Sequence, residues 1–162
     1  MLVERSSIAM SSEPDINVFR LDRSGIRTVL GDLEAEIMEL IWSRPEGSGT
    51  TVRDVFEILY ERRMSAERRR ISYTTVMNTM ARLAKKNLLR VEKRNQAYIY
   101  FPNLTKPEFV SRFVGRILEN LYANFSGATL EGLEALPDQE TASRVRQQLD
   151  EIARRRALEE GE

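Results

Sequence analysis

The chain contains neither cysteine nor histidine among its 162 residues. Without cysteine it can form no disulfide, no thiol redox switch and no thiolate nucleophile. Without histidine it lacks the commonest metal ligand and the commonest general base of enzymes. It also has no glycine-rich phosphate loop and no nucleophile arrangement with the spacing of an active site. We therefore expect no metal, no cofactor and no enzymatic activity.

Long hydrophobic runs are lacking as well. No apolar stretch approaches the roughly 18 residues that a membrane-spanning helix needs, and no signal-peptide pattern opens the chain. The hydrophobic fraction of 41% and the charged fraction of 31% are those of a globular chain with one compact domain or two small ones. These absences predict a cytoplasmic protein without membrane insertion.

Net charge is absent too, because 25 Lys and Arg balance 25 Asp and Glu. The charges are nevertheless segregated along the chain. Residues 61–96 contain eleven Lys and Arg against three acidic residues, a net charge of about +8. Residues 32–60 contain seven acidic residues against two Arg, about −5, and residues 126–162 contain nine against five, about −4. A cluster of cations in one segment is typical of a nucleic-acid-binding surface.

Within the cationic segment, the stretch from Ser72 to Lys86 is predicted to be a helix with Ser72 as its N-cap. Its buried face is predicted to consist of Val76, Met77, Met80, Leu83 and Ala84. The opposite face carries Thr74, Thr75, Asn78, Arg82 and Lys85. Short polar side chains let a helix approach base edges in the major groove, and cations further along reach phosphates. An ordinary solvated face is the alternative interpretation.

A β-hairpin is predicted directly after this helix. Asn87 suits the left-handed position that ends a helix. Two alternating runs then follow at residues 89–93 and 97–101, with Asn95 as the turn residue between them and Pro102 after the second run. A helix followed by a basic-tipped hairpin is the layout of a winged helix-turn-helix.

Two further helices are predicted before the cationic segment. The first covers residues 32–42, and the second is capped by Thr51 together with Asp54. Trp42 is expected at the edge of the core. Residues 61–71, which include Arg68 and Arg70, form a cationic connector that either contacts phosphate or is a solvated extension of the helix. Residues 1–29 form an N-terminal extension, either a disordered arm or one docked through Phe19, Leu21, Ile26 and Val29.

A wide apolar stripe marks the next helix, which begins after the cap formed by Thr105 and Glu108 and runs to about residue 123. The residues of the stripe are Phe109, Val110, Phe113, Val114, Ile117, Leu118, Leu121 and Tyr122. One small domain cannot cover so much apolar surface, so the stripe predicts dimerisation. Packing against the last helix of the same chain is the alternative. Ser126 and Gly127 interrupt the pattern, and Asp138 caps a final helix.

Three stretches resemble the BlaI/MecI/CopY (penicillinase repressor) family. They are residues 33–42, with Leu-Glu-Ala-Glu-Ile-Met and Ile-Trp; residues 73–89, with Tyr-Thr-Thr-Val, Met-Ala-Arg-Leu and Lys-Asn-Leu-Leu; and residues 98–102, with Tyr-Ile-Tyr and Pro. The resemblance implies a mainly α-helical fold with a small β-hairpin wing. After the N-terminal extension at 1–29, it also implies a winged helix-turn-helix DNA-binding domain at 30–103 and a helical dimerisation domain at 104–162.

The resemblance also implies site residues and partners. The family's recognition positions fall on Tyr73, Thr74, Thr75, Asn78 and Arg82, and its wing tip falls on Lys93, Arg94 and Asn95. From their charge, Lys85, Lys86, Arg90 and Arg94 are predicted to contact phosphates. The implied partners are double-stranded operator DNA, a second copy of the chain and, in the penicillin-responsive branch, a membrane sensor-protease that cuts an Asn-Phe bond. Asn124-Phe125 lies nearer to Pro102 than the family spacing predicts, so that cleavage site is not carried over.

The sequence is compatible with two functions. The first is a homodimeric transcriptional repressor that binds a palindromic operator through the recognition helix at residues 72–86 and the wing at residues 89–101. The second is a winged-helix protein-interaction module without sequence-specific DNA binding. The clustering of cations favours the repressor. The copper-responsive branch of the family uses a cysteine cluster that this chain lacks, which disfavours metal sensing of that kind.

Overall fold

The computed structural model describes residues 13–159. In that range the helices are α1 (Asp32–Trp42), α2 (Val52–Ser65), α3 (Tyr73–Lys85), α4 (Lys106–Glu134) and α5 (Gln139–Glu159), and the strands are β1 (Leu89–Arg94) and β2 (Ala97–Pro102). A short 3-10 turn, Gly25–Thr28, precedes α1. The chain divides into two compact units after Phe109. The predicted fold class, mainly helical with a small hairpin wing, is confirmed.

Local hydrogen bonds begin the first two helices where the sequence predicted. The backbone N–H of Gly31 donates to the Glu34 carboxylate at 3.0 Å, and α1 starts at the next residue. At α2, Thr51 Oγ1 accepts from the backbone N–H of Asp54 at 3.1 Å, and Asp54 accepts from the backbone N–H of Thr51 at 2.9 Å. Each bond satisfies a backbone donor that a helix end leaves without an intrahelical partner.

Helix α3 begins and ends as predicted, but its buried face differs: Met77 is exposed, Ala84 is only half-buried and Thr79 is buried. Ser72 Oγ accepts from the backbone N–H of Thr75 at 3.1 Å, and Asn87 takes the left-handed conformation with φ +61° after the last turn. Met77 was expected to be buried and is 41% exposed, whereas Thr79 is 1% exposed. The buried stripe passes through Val76, Met80 and Leu83, and Met77 lies about 100° around the helix from Val76. Thr79 Oγ1 donates to the carbonyl of Thr75 at 2.8 Å, which satisfies the buried hydroxyl.

The hairpin is a two-residue turn between paired strands. Leu89 pairs with Pro102 at one end and Arg94 pairs with Ala97 at the other. The turn residues Asn95 and Gln96 have φ of +48° and +67°, the left-handed values that a tight type I′ hairpin turn requires.

A backbone bridge, which the sequence analysis did not predict, fixes the hairpin on the helices. Thr50 and Tyr100 exchange two backbone hydrogen bonds, of 3.0 and 2.8 Å, so the segment before α2 lies beside β2. The close approach depends on Gly49. A Cβ atom at this position would overlap the side chain of Ile99 and lie 2.9 Å from the ring of Phe101.

We expect Gly49→Ala to lower the free energy of unfolding by about 1–3 kcal/mol, since overpacking forces neighbouring side chains to move. Denaturant unfolding followed by circular dichroism measures the decrease. The double variant with Ile99→Ala should recover part of it, because Ile99 supplies the nearest atoms. An alanine at residue 49 that leaves the unfolding midpoint unchanged would contradict the close approach.

Part of the predicted N-terminal extension lies against the first unit. Ile26 and Val29 are buried, as the docked alternative requires, whereas Phe19 and Leu21 are exposed. The backbone N–H of Asp15 also donates to the carbonyl of Lys86 at 2.8 Å. Residues 1–12 of the extension lie outside the described residues.

The second unit consists of most of α4 and the whole of α5. Helix α4 is broken at Phe125, where φ is −141° and ψ is 46°, one residue before the predicted interruption. Asp138 caps α5 by accepting from the backbone N–H of Glu140 at 3.0 Å. The buried residues of the unit are Phe113, Leu133, Ala142, Leu149 and Ile152. In the described part of the chain, no helix combines the length and the apolar character that crossing a bilayer requires.

Candidate nucleic-acid interface

The exposed face of α3 carries the polar side chains that the sequence analysis selected. Thr74, Thr75, Asn78, Arg82 and Lys85 are all exposed. Ala81 is exposed as well and lies between Asn78 and Lys85, because residues three and four positions apart are neighbours on a helix. The centre of this face therefore combines one amide with one small residue, which leaves room for a close approach.

The side chains on this face differ in what they already contact. Thr75 Oγ1 lies 2.8 Å from Ser72 Oγ, so its hydroxyl belongs to the cap of the helix. Arg82 donates to Thr79 Oγ1 at 3.3 Å. In the described part of the chain, the Asn78 amide has no hydrogen-bond partner. Asn78 is therefore available to a ligand, as are Thr74 and Lys85, which also have no partner in the described part of the chain.

Tyr73 also serves the packing of the helix start. Its ring meets that of Phe56 edge-on, with centroids 5.6 Å apart and planes at 70°. The side chain is nevertheless 46% exposed. Its position at the start of α3 is thus set by α2, while part of the ring remains open to a partner.

Lys86, which directly follows α3, has different contacts from the cations within that helix. Its ammonium contacts both oxygens of Glu34, at 2.9 and 3.1 Å, and Glu34 is only 7% exposed. Burial alone raises the pKa of the Glu34 carboxyl, but the hydrogen bonds from Lys86 and from Gly31 and the charge of Arg82 hold this pKa below its usual value. Lys86, predicted to contact phosphate, is thus already paired within the first unit.

The wing has a similar internal pairing. Arg94 donates to the Glu92 carboxylate through two nitrogens, at 3.0 and 2.6 Å, and Arg90 lies 3.6 Å from the other Glu92 oxygen. The guanidinium groups of Arg90 and Arg94 also lie 4.7 and 5.3 Å from the ring centroid of Phe101. Lys93 and Asn95 are exposed, and the ammonium of Lys93 lies 5.9 Å from the ring centroid of Tyr98. The Glu92 carboxylate therefore offsets one of the three positive charges of the wing, which come from Arg90, Lys93 and Arg94.

The predicted dimerisation residues divide into two groups. Phe109 is 1% exposed and its ring lies 5.4 Å from that of Trp42, whose indole N–H donates to the carbonyl of Leu104 at 2.9 Å. Phe109 therefore belongs to the core of the first unit, and Phe113 is buried too. The remaining predicted dimerisation residues are exposed or half-buried: Val110, Val114, Ile117, Leu118, Leu121 and Tyr122.

In the second unit, Leu118 and Leu121 line an apolar groove whose other walls are Phe125, Leu133, Leu136 and Val145. Leu121 is 40% exposed and Phe125 is 61% exposed. The groove is therefore a candidate surface for association.

Ala81, Glu34 and Glu92 were not selected from the sequence, and Met77 was assigned to the wrong face of α3. Ala81 could have been found by placing the α3 residues at 100° intervals, since it then falls about 60° from Asn78 and about 40° from Lys85. The same procedure would have placed Met77 on the exposed side. The pairing of Glu34 with Lys86 joins residues 52 positions apart, so no local pattern indicates it. The Glu92 pairing follows from strand alternation, which places residues 90, 92 and 94 on one face.

These features define a class of protein. Helices α2 and α3, followed at once by the hairpin of β1 and β2, form a winged helix-turn-helix, and α3 occupies the place of the recognition helix. Within residues 13–159, no group of acidic side chains is placed to hold a metal ion. A family model described as penicillinase repressor matches residues 30–154, and the chain belongs to that family. The family consists of transcriptional regulators, not enzymes.

Two curated relatives carry the description "Transcriptional regulator BlaI" and come from the CDC 1551 / Oshkosh and H37Rv strains of Mycobacterium tuberculosis. Each is 43% identical over 84 residues, which cover 52% of this chain and 55% of the relative. The chain thus matches about half the length of these relatives.

Proposed function

We propose that the protein is a homodimeric repressor that binds a two-fold symmetric operator through α3 and the hairpin wing. The observation that carries this proposal is the exposed face of α3, on which a free amide, a small residue and two cations follow one another. This layout suits a helix that reads base edges near its start and contacts phosphates further on. The family and the name of the M. tuberculosis relatives support regulation of transcription.

Within this proposal, the side chains of α3 have different tasks. Asn78 can bond an adenine bidentately, and Ala81 beside it allows the approach. Thr74 is a second base-edge candidate, and the Thr75 methyl group can contact base edges while its hydroxyl stays in the cap. Arg82 and Lys85 reach phosphates or a guanine. Tyr73 contributes the open part of its ring.

Pairing of two chains would set the spacing of the operator. Two recognition helices that enter successive major grooves lie about 34–36 Å apart, one helical turn of DNA. The exposed apolar residues of the second unit, Val114, Leu121 and Phe125 among them, support self-association, and a two-fold dimer is the commonest arrangement. An isologous dimer predicts a palindromic operator.

The wing gives a pair of opposed predictions. We expect Glu92→Gln to strengthen binding to operator and random DNA alike, since it removes a charge that repels phosphates and releases Arg90 and Arg94. Arg94→Ala should weaken both and make the slope of log K against log salt shallower by about one unit per protomer. Fluorescence anisotropy over a salt series measures both effects. Equal affinities for the wild type and Glu92→Gln would contradict a wing that contacts DNA.

Footprinting on the region upstream of the protein's own coding sequence tests the proposal as a whole. We expect protection of two symmetric half-sites about one helical turn apart, with a steep loss of affinity as salt is raised. Binding that does not distinguish this region from random DNA would rule out an operator there. No binding to any duplex would overturn the repressor proposal and favour a protein-interaction module.

A further inference from the structure

Residues 61–65 of the predicted cationic connector belong to α2, so the connector between α2 and α3 consists of residues 66–71. We propose that this connector is a DNA contact in its own right. In this inference Arg68, Arg69 and Arg70 bind the sugar–phosphate backbone beside the groove that α3 enters. The inference rests on the proposed function, because it presupposes that α3 faces duplex DNA. It adds a contact, independent of base sequence, that lies outside both the recognition helix and the wing.

The beginning of the connector is fixed by the end of α2. Glu67 takes the left-handed conformation with φ +49°, and its backbone N–H donates to the carbonyl of Met64 at 3.3 Å. The backbone N–H of Arg68 donates to the carbonyl of Arg63 at 2.9 Å. These two bonds form a Schellman motif, which terminates a helix in a defined direction. The connector thus leaves α2 along one path.

The middle and the end of the connector are fixed by other elements. Arg63 on α2 is bound to Glu36 on α1 at 2.7 Å, and both side chains are less than a fifth exposed. From this position, Arg63 also donates to the carbonyl of Arg69 at 3.4 Å. Ile71, which follows the three arginines, is 8% exposed. A largely buried ion pair and a buried isoleucine therefore fix the peptide backbone of the connector. The side chains of Arg68, Arg69 and Arg70 are exposed.

Charge distinguishes these arginines from the cations of the wing. Within residues 13–159, no ion pair joins Arg68, Arg69 or Arg70 to a carboxylate, and Glu67 beside them is exposed and unpaired as well. The wing arginines share Glu92, and Lys86 is bound to Glu34. A phosphate that meets the connector arginines has no internal ion pair to break. We therefore expect the connector to contact the DNA backbone more strongly than the wing does.

The position of the connector indicates what it would contact. Arg70 lies two residues before Ser72, which caps α3. In helix-turn-helix proteins, the N-terminal residues of the recognition helix contact base edges, so the segment before them lies beside the phosphates that border the groove. Three arginines on a fixed peptide backbone can bind these phosphates. Contacts of this kind position a protein on DNA without selecting a base sequence.

The test compares two triple variants that remove the same charge. In R68Q/R69Q/R70Q we expect affinity for operator and random DNA to fall together. The slope of log K against log salt should become shallower by about 0.9 for each phosphate that the protein no longer neutralises, up to about 3 units per protomer. The matched control, R154Q/R155Q/R156Q, removes three arginines from the end of α5. It should change the slope by less than one unit. Circular dichroism melting shows whether each variant is folded.

The outcomes separate this inference from the proposed function. If the wild type prefers its operator and the connector variant keeps the same salt slope as the α5 variant, the connector inference is overturned and the repressor proposal stands. If the connector variant keeps its non-specific affinity and loses only its preference for operator, the arginines act on sequence, which also overturns the inference. A wild type that binds no duplex DNA overturns both.

Discussion

Replacing Asn78 by alanine is expected to lower the preference for operator over random DNA by about 30-fold or more. A bidentate side-chain contact with a base contributes about 1–3 kcal/mol of discrimination. A dimer presents the side chain twice, so even the lower value gives roughly a 30-fold loss of operator affinity. Affinity for random DNA should change little, because an amide contributes nothing to the attraction of phosphates. Anisotropy titrations with operator and random duplexes measure the ratio.

Asn78 suits this experiment better than its neighbours do. Its amide has no partner in the described part of the chain, whereas Thr75 shares its hydroxyl with the helix cap. A Thr75 variant would therefore change the helix start as well as any base contact. Gln147→Ala, which removes an exposed amide from α5, is the control. If Asn78→Ala lowered the affinity for operator and for random DNA equally, Asn78 would contact the DNA backbone and not a base.

Replacing Leu121 by aspartate is expected to raise the dissociation constant of the proposed dimer by about a thousandfold. Leu121 is 40% exposed, so covering it contributes roughly 0.6–1.2 kcal/mol, and a two-fold interface contains the residue twice. An aspartate adds the cost of removing its charge from water. Sedimentation equilibrium measures the change in self-association. Operator affinity should fall with it, because a single recognition helix covers only half of a symmetric site.

Leu158→Asp is the control for this change. Leu158 is 73% exposed and does not line the groove that contains Leu121, so its replacement should leave self-association unchanged. Thermal melting of both variants shows whether α4 and α5 remain folded. A Leu121→Asp protein that is folded and as dimeric as the wild type would place the interface elsewhere in the chain.

Local sequence signals predicted much of this structure. Ser72 and Thr51 indicated the starts of α3 and α2, and both residues cap those helices through their hydroxyl oxygens. Asn87 indicated the end of α3 and has the left-handed φ that this end requires. Each of these signals depends on bonds between residues at most a few positions apart. The polar face of α3 was predictable for the same reason, since it follows from spacing along one helix.

Contacts between distant residues were not predictable from a single sequence. Nothing near Gly49 indicates that Ile99 and Phe101 lie against it. The pairing of Glu34 with Lys86 and of Glu36 with Arg63 depends on how three helices meet. These pairs change the interpretation of the cationic segment. Its charge was counted by itself in the sequence, whereas in the structure part of it is neutralised by Glu34 and Glu36 of α1.

The independent ends of α2 and α3 have a consequence for how such a regulator can diverge. Backbone hydrogen bonds at its own last turn terminate α2, and Ser72 caps the start of α3. Neither helix end therefore depends on the side chains at positions 68–70. If the connector contacts DNA as we propose, mutations there would alter how long the protein stays bound to DNA without altering which operators it selects. Residence time and choice of target could then evolve separately in this fold.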